Sequence, residues 1–352
     1  MLKKDIARLL QIQYPIIQAP MAGGVTTSIL VAAVSNNGGL GMIGAGYLNA
    51  EQTRELIREV KQLTSNHFGI NLFVPNEFIL SNTNIETANL LLRPFREHLN
   101  IHNEEGLKLP DYQSINQSFI EQIQVVIEEQ VPICSFTFGL PTPEMVIDMK
   151  QHDIVVIGTA TTVSEAMEVE KIGMDIVVAQ GSEAGGHRGN FLNNFQDSQI
   201  GLMSLIPQVV DNVKIPVIAA GGIMDKRGLK ASLCLGAKAV QMGTAFLTCQ
   251  ESGAHKVHKD AIQCASEDQI VLTRAFSGKW ARGINNTFIS EMQTHECEIL
   301  DYPIQNTLTQ AIRKASAAQN QQEFMSLWSG QSPRLAKNQT VKDLITSMVD
   351  GD

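Results

Sequence analysis

The feature that most constrains this chain is a recurrence: short, nearly continuous apolar runs alternate with helical patterns along most of its length. The runs are PIIQAPM (15–21), GLGMIGAG (39–46), FGINLFV (68–74), VPICSFTFG (131–139), IVVIGTA (154–160), DIVVAQG (175–181), IPVIAAGG (215–222) and AVQMGTAFL (239–247). Runs without polar alternation suit strands covered on both faces, as in a parallel sheet flanked by helices. Strand–helix alternation is the sequence form of repeated βα units, and eight strands predict a closed α/β barrel of the (β/α)8 TIM type. At 352 residues the chain matches one such barrel with insertions.

The intervening segments carry helix signals. Asn49 can cap EQTRELIREVKQL. Thr162 and Glu165 have capping-box spacing ahead of EAMEVEKI, which Gly173 ends. Asp225 can cap the helix after the seventh strand, and Gly236 can end it. Two regions break the rhythm: 75–130, rich in Asn, Gln and Glu, and 290–352, which reads as helices. The expected division is a barrel over 1–74 and 131–289, with 75–130 and 290–352 forming a small, mostly helical accessory layer on the substrate side.

Composition excludes several classes. A formal net charge of −9 argues against nucleic acid, whose phosphates are bound by clustered Lys and Arg. The five cysteines are scattered singly, which argues for reduced thiols rather than a disulfide framework or a zinc site. The first fifteen residues, MLKKDIARLLQIQYP, start basic, but Asp5, Arg8 and Gln11 interrupt the apolar run and no cleavage site follows, so no signal peptide is expected. No apolar stretch reaches the ~18 residues of a membrane span. The expectation is a cytoplasmic protein with no membrane or nucleic-acid partner; its oligomeric state is left open.

Some motifs read as decoys. GLGMIG (39–44) matches the dinucleotide fingerprint, but a helix-like segment precedes it and its glycines lie inside an apolar run, so it reads as a barrel strand. His255 and His258 sit three apart on AHKVHKDAI with no third ligand, and read as a solvated helix face rather than a metal site. His67, His98, His102, His152 and His295 lack any supporting constellation.

The chemistry concentrates elsewhere. In VVAQGSEAGGHRGNF (177–191) a strand runs into a loop where strand ends face a barrel's active site. Gly185, Gly186 and Gly189 let that backbone approach a flat ligand, and His187 is its one side chain titrating near neutrality. The seventh strand ends in Gly221-Gly222 and the eighth in Gly243-Thr244, where such barrels build phosphate sites from backbone N–H groups. Asn71, on the third strand, can direct its amide at a heterocycle edge or serve barrel packing.

Together QAPMAGG (18–24), NNGGLG (36–41), GTATT (158–162), QGSEAGGHRG (180–189), AAGGI (219–223) and QMGT (241–244) resemble the nitronate monooxygenases over about residues 14 to 289. The resemblance implies an FMN-binding barrel that oxidises alkyl nitronates with O2 to carbonyl compounds and nitrite. It implies His187 as the catalytic histidine, acting as base or as electrostatic anchor. Asn71, Gln180, Gly185, Gly222, Gln241, Met242, Gly243 and Thr244 are implied as FMN-contacting positions. FSGKWARG (276–283) also resembles the family, without an assigned role. The alternative is an FMN-dependent, NAD(P)H-using enoyl-acyl-carrier-protein reductase; Arg188-Gly189 and Ala22-Gly23-Gly24 favour the nitronate enzyme. A non-catalytic barrel binding a phosphate-bearing ligand is a third reading.

Overall fold

The structure, a computed structural model, describes residues 6–101 and 108–350. His102 and the first five residues lie outside that range. Eight parallel strands form one sheet: β1 (Ile16–Gln18), β2 (Gly41–Gly44), β3 (Phe68–Phe73), β4 (Ile133–Thr137), β5 (Val155–Ala160), β6 (Ile176–Gln180), β8 (Val217–Ala220) and β9 (Ala239–Met242). Their order is β1-β9-β8-β6-β5-β4-β3-β2, and the two ends meet. Leu40 accepts from Gln18 N–H and donates to the Ile16 carbonyl, both at 2.9 Å. Where this backbone seam stops, Gln18 Oε1 accepts from Met42 N–H at 3.0 Å. The result is a closed (β/α)8 barrel with one observed strand inside each expected run. The expected runs are longer because residues such as Ala19–Met21 and Gly221–Gly222 leave the sheet for the loops.

Side chains two apart along a strand share a face, and the inward positions change character from one end of the barrel to the other. Ile133 is followed inward by Ser135 and Thr137, Ile157 by Thr159, Val178 by Gln180, and Ala239 by Gln241. The lower tier is apolar and continuous with Ile6 and Leu10 of the helix Ile6–Leu10, which pack among Ile17, Leu40, Met42 and Ile176. The upper tier is polar and lines a cavity.

Local signals act largely as the sequence suggests. Asn49 forms a full capping box with Gln52. Gly173 and Gly236 end their helices at φ +92° and +107°, conformations costly for a side chain. Asp225 caps through Arg227 N–H. Thr162 caps through Glu165 N–H, but the Glu165 carboxylate does not return to the cap. It instead accepts from Thr161, Phe191 and Leu192.

The accessory division differs from the expected one. Helix Tyr112–Glu128 belongs to the barrel's outer layer: Phe119, Ile123 and Val126 sit at helical spacing and pack with Ile57, Ile70 and Phe136. Its Asn, Gln and Glu residues are the outward face, which made the segment read as accessory. Helix Val341–Val349 likewise packs among Leu30, Val34 and Leu229. Helix Asn82–His98 clusters with Phe288, Ile304, Leu308 and Phe324. A second, antiparallel sheet joins β7 (Gly186–His187) to β11 (Ala281–Ile284) and β11 to β10 (Ile270–Thr273). Among the described residues no helix is long and apolar enough to cross a membrane.

GLGMIG is β2 in part, and its glycines answer to packing. A Cβ on Gly41 would stand 2.1 Å from the Val31 carbonyl oxygen, a backbone atom that cannot step aside without moving its helix. Gly41→Ala is therefore expected to destabilise the fold by about 3 kcal/mol, the upper part of the usual overpacking range. An unchanged urea midpoint for this variant would contradict the packing described.

Candidate active site

One cavity opens at the C-terminal ends of the barrel strands, with about 1340 Å³ of empty space counted out to its mouth. Asn71, Gln180, Gly185, His187, Gly222, Gln241, Met242, Gly243 and Thr244 all line it. They come from four barrel strands and the loops that follow, so strand polarity is what assembles them.

The histidine loop is held from four sides. Gln180 Nε2 donates to the His187 carbonyl at 3.0 Å and Gln180 Oε1 accepts from Gly189 N–H at 2.8 Å. Its amide therefore braces the loop as well as facing the cavity. Arg188 is fully buried. Its guanidinium donates to the carbonyls of Gly181 and Ser198, each at 2.6 Å, and of Gln180 at 3.2 Å. Glu165, also fully buried, takes the Phe191 and Leu192 N–H groups at 2.6 and 3.0 Å. Strand β11 pairs with the loop at His187 and Gly186.

The loop glycines answer to the protein rather than simply to a flat ligand. A Cβ on Gly185 would meet Gly330 N and Ser329 C at 2.5 Å, and one on Gly189 would meet Thr159 Cγ2 at 2.9 Å. Gly186 has φ +71°. On the phosphate side, Gly222 has φ +62°, whereas Gly243 has ordinary φ and room for a Cβ, the nearest atoms being Ala19 Cβ at 3.7 Å and Met21 Sδ at 3.9 Å. The Thr244 oxygen accepts from Gly330 N–H at 2.9 Å, leaving its hydroxyl hydrogen free to donate. Asn71 reaches Ser135 and Thr137 with its Nδ2, at 2.9 and 3.1 Å.

His187 Nε2 lies 2.7 Å from Ser277 Oγ. Ser277 thus gives FSGKWARG a role: the segment backs the histidine, and Arg188 N–H donates to the Trp280 carbonyl at 2.9 Å. Phe138 stands edge-on to the imidazole at 5.9 Å and Trp328 lies 5.4 Å away. Burial, with Lys279 and Arg313 adding to it, pushes the His187 pKa down to about 3, so the ring is neutral at neutral pH.

Composition and spacing missed several cavity residues. Trp328 and Gly330 arrive on a strap from the C-terminal region, tied by Ser329 N–H to the Arg282 carbonyl and Gln331 N–H to the Glu183 carbonyl. Phe138 follows β4 at φ +73°. The other non-glycine residues of positive φ each follow a helix end, so Phe138 is the one that marks a site. His258 corrects the solvated-face reading: it is buried, lines the cavity and contacts the Trp328 carbonyl through Nε2 at 2.9 Å. Helix Lys256–Cys264 turns that side inward, and burial lowers the His258 pKa to about 4. His255 is the N-cap of the same helix.

A parallel α/β barrel with a half-buried, neutral histidine beside a glycine-rimmed cavity at its strand ends has the layout of a barrel enzyme, and its relatives make that enzyme an oxidoreductase. The chain belongs to the nitronate monooxygenase family, whose sequence profile matches residues 3–351. Probable nitronate monooxygenases of Staphylococcus aureus strains Newman and MRSA252 are 51% and 52% identical, over 99% of this chain and 97% of each relative. Among solved structures, nitroalkane oxidase from Streptomyces ansochromogenes superposes with a TM-score of 0.89 at 36% identity, covering 98% of this chain and 96% of that one. FabK from Thermotoga maritima superposes at 0.76 with 31% identity, covering 99% and 96%.

Arg188 does not line the cavity, yet its guanidinium ties together carbonyls from both sides of the His187 loop. Arg188→Lys keeps the charge but loses the fork. It is expected to cost about 2–4 kcal/mol, since hydrogen bonds from charged groups are each worth ~1.5–3 kcal/mol. Equal denaturation midpoints for variant and wild type would show that the staple is dispensable.

Proposed function

We propose that this protein binds FMN and oxidises alkyl nitronates with O2, with His187 orienting the substrate as a neutral hydrogen-bonding group. The observation that carries this reading is the meeting, in one cavity, of the His187 loop with the Gly221-Gly222 and Gly243-Thr244 turns. The residues suit a flavin mononucleotide. Gly222 and Ile223 N–H groups donate to no acceptor among the described residues, and with the Thr244 hydroxyl they supply donors for a terminal phosphate. Asn71, Gln180, Gly185, Gln241 and Met242 would border the rest of the group. When bound, FMN supplies the redox chemistry, the nitronate being the electron donor and O2 the acceptor.

The histidine's surroundings support the anchoring role over that of a base. A group with pKa near 3 is a poor acceptor of a carbon-bound proton at neutral pH. A nitronate needs no such step, because it arrives deprotonated. Ser277 Oγ donates to the Lys279 carbonyl at 3.0 Å and so accepts from His187 Nε2–H. Rotation of the same hydroxyl lets it donate to Nε2 instead, which moves the ring hydrogen to Nδ1. Ser277 thus keeps its bond to the ring in either tautomer, and Nδ1–H can donate to a nitronate oxygen.

Two outcomes follow. Gly243→Val leaves the protein's own backbone unstrained but fills the space a phosphate would approach. It should purify folded with its flavin depleted, the wild-type cofactor running as FMN on chromatography. Full flavin content in the variant, or FAD released from wild type, would count against this assignment.

His187→Asn should keep its flavin and lose about 10²-fold in turnover of a preformed nitronate, at the low end for a positioned group. Wild-type kcat/KM for the nitronate should show no limb from His187 between pH 5 and 7.5. The FabK likeness makes a nicotinamide-driven reductase the second reading. Anaerobic enzyme mixed with NADH or NADPH should keep its flavin absorbance, whereas a nitronate should bleach it. The reverse pattern would favour the reductase.

A further inference from the structure

Two cations stand near His187 with no acidic partner among the described residues. The Lys279 ammonium lies 4.8 Å from the centroid of the Phe138 ring, the ring that abuts the imidazole. Its hydrogen-bond partner there is the Asn190 carbonyl, at 3.4 Å. The carboxylate that acts on Lys279 is Glu165, and its oxygens are already taken by Thr161, Phe191 and Leu192. Arg313, on helix Gln310–Ala318, gives Nη2 to the Asn306 carbonyl and side-chain oxygen at 2.7 and 2.9 Å, while its buried Nε has no partner. Buried charge is ordinarily paired. Here two like charges, both half-buried, stand without an acidic partner among the described residues, Lys279 directly behind the Phe138 ring that lines the cavity.

We propose that Lys279 and Arg313 make the His187 end of the cavity a receptacle for a small planar oxyanion, and so select the deprotonated form of the substrate over its neutral acid. They act as specificity-determining residues through their field, behind a wall of Phe138, Tyr302 and Tyr47; Phe138 lies 6.0 Å from Tyr302 and 4.5 Å from Phe73, which meets Tyr47. Inside such low-dielectric walls an uncompensated charge is felt over several ångströms. Both cations already act on the His187 ring, which each holds toward its neutral form. Arg313 also acts on the Tyr47 and Tyr302 hydroxyls, and burial keeps the Tyr302 phenol protonated. The device thus combines a neutral donor with remote positive charge, the carboxylate that acts on Lys279 being already engaged by backbone and hydroxyl donors.

The inference rests on the nitronate reading for the identity of the substrate, but its test does not. The probe is inorganic nitrate, a planar oxyanion that cannot turn over, titrated calorimetrically into flavin-loaded protein at fixed ionic strength held with gluconate. Neutral nitroethane is the control. Lys279→Met and Arg313→Met should each weaken nitrate at least tenfold and leave nitroethane within twofold.

Burial lowers the Lys279 pKa to about 8, with Glu165 and His187 as the titratable groups that interact with it. Lys279 is charged below that pH and neutral above it. Wild-type nitrate binding should therefore weaken as pH rises from 7 to 9.5, and Lys279→Arg should bind nitrate at both pH values. Lys279→Arg also guards against a Met variant that misfolds.

Nitrate affinity that is unchanged in both Met variants and flat with pH would overturn the inference, even if wild type oxidises nitronates normally. So would a shift in the flavin's reduction potential in those variants without any change in nitrate affinity, because the charges would then serve the cofactor. Absence of nitronate turnover in wild type that still binds nitrate through these residues would instead remove the nitronate reading and leave the receptacle standing.

Discussion

The buried guanidinium of Arg188 is the constraint on which the site depends. It lies under the loop that carries His187 and binds carbonyls on both sides of it, from Gly181 to Ser198. A buried charge is tolerated when its donors are satisfied, and here backbone oxygens do that. Its Nε remains unpartnered, and burial with Arg282 nearby lowers its pKa to about 10, still charged at neutral pH. Glu165 does the complementary work downstream, gathering N–H groups from two loops. Between them they turn a glycine-rich segment, which on entropy alone would wander, into a rigid support for one imidazole.

That rigidity has a chemical counterpart. The surroundings of His187 are apolar rings, a hydroxyl able to donate or accept, and two cations beyond the aromatic wall. Burial first, and then the two cations, disfavour a second proton on the ring. A histidine kept neutral suits a substrate that brings its own negative charge. The same argument explains the left-handed Phe138: the ring sits where Phe73, Tyr302, His187 and Lys279 all meet it, and tertiary contacts hold a backbone conformation that local preference would refuse.

The mouth of the cavity is built from distant parts of the chain. Trp328 and Gly330 come from near its end, and Gly330 N–H closes onto Thr244 across 86 positions. His258 anchors the Trp328 carbonyl from a third element. The accessory helices therefore do more than shield the barrel; their strap completes a wall that the eight strands leave open.

Sequence by itself determined the barrel, because eight two-sided apolar runs admit few other ways of being buried. Glycine chemistry written in consecutive letters marked the His187 loop and the Gly221-Gly222 and Gly243-Thr244 turns, while Gln180, Gln241 and Met242 came from the family resemblance; all of them border the cavity because strand polarity sends the end of each run to the same face. GLGMIG could be read as a strand from the order of its neighbours. What only the tertiary structure decided is whatever depends on contacts between distant segments. The polar outer face of helix Tyr112–Glu128 concealed a barrel helix, and His258 looked exposed until the strap gave it a carbonyl. Glu165 looked like half of a capping box until the His187 loop supplied better donors. The neutrality of His187 is of the same kind, since Ser277, Lys279 and Arg313 reach it from 90 or more positions away, and no local pattern encodes an electrostatic field.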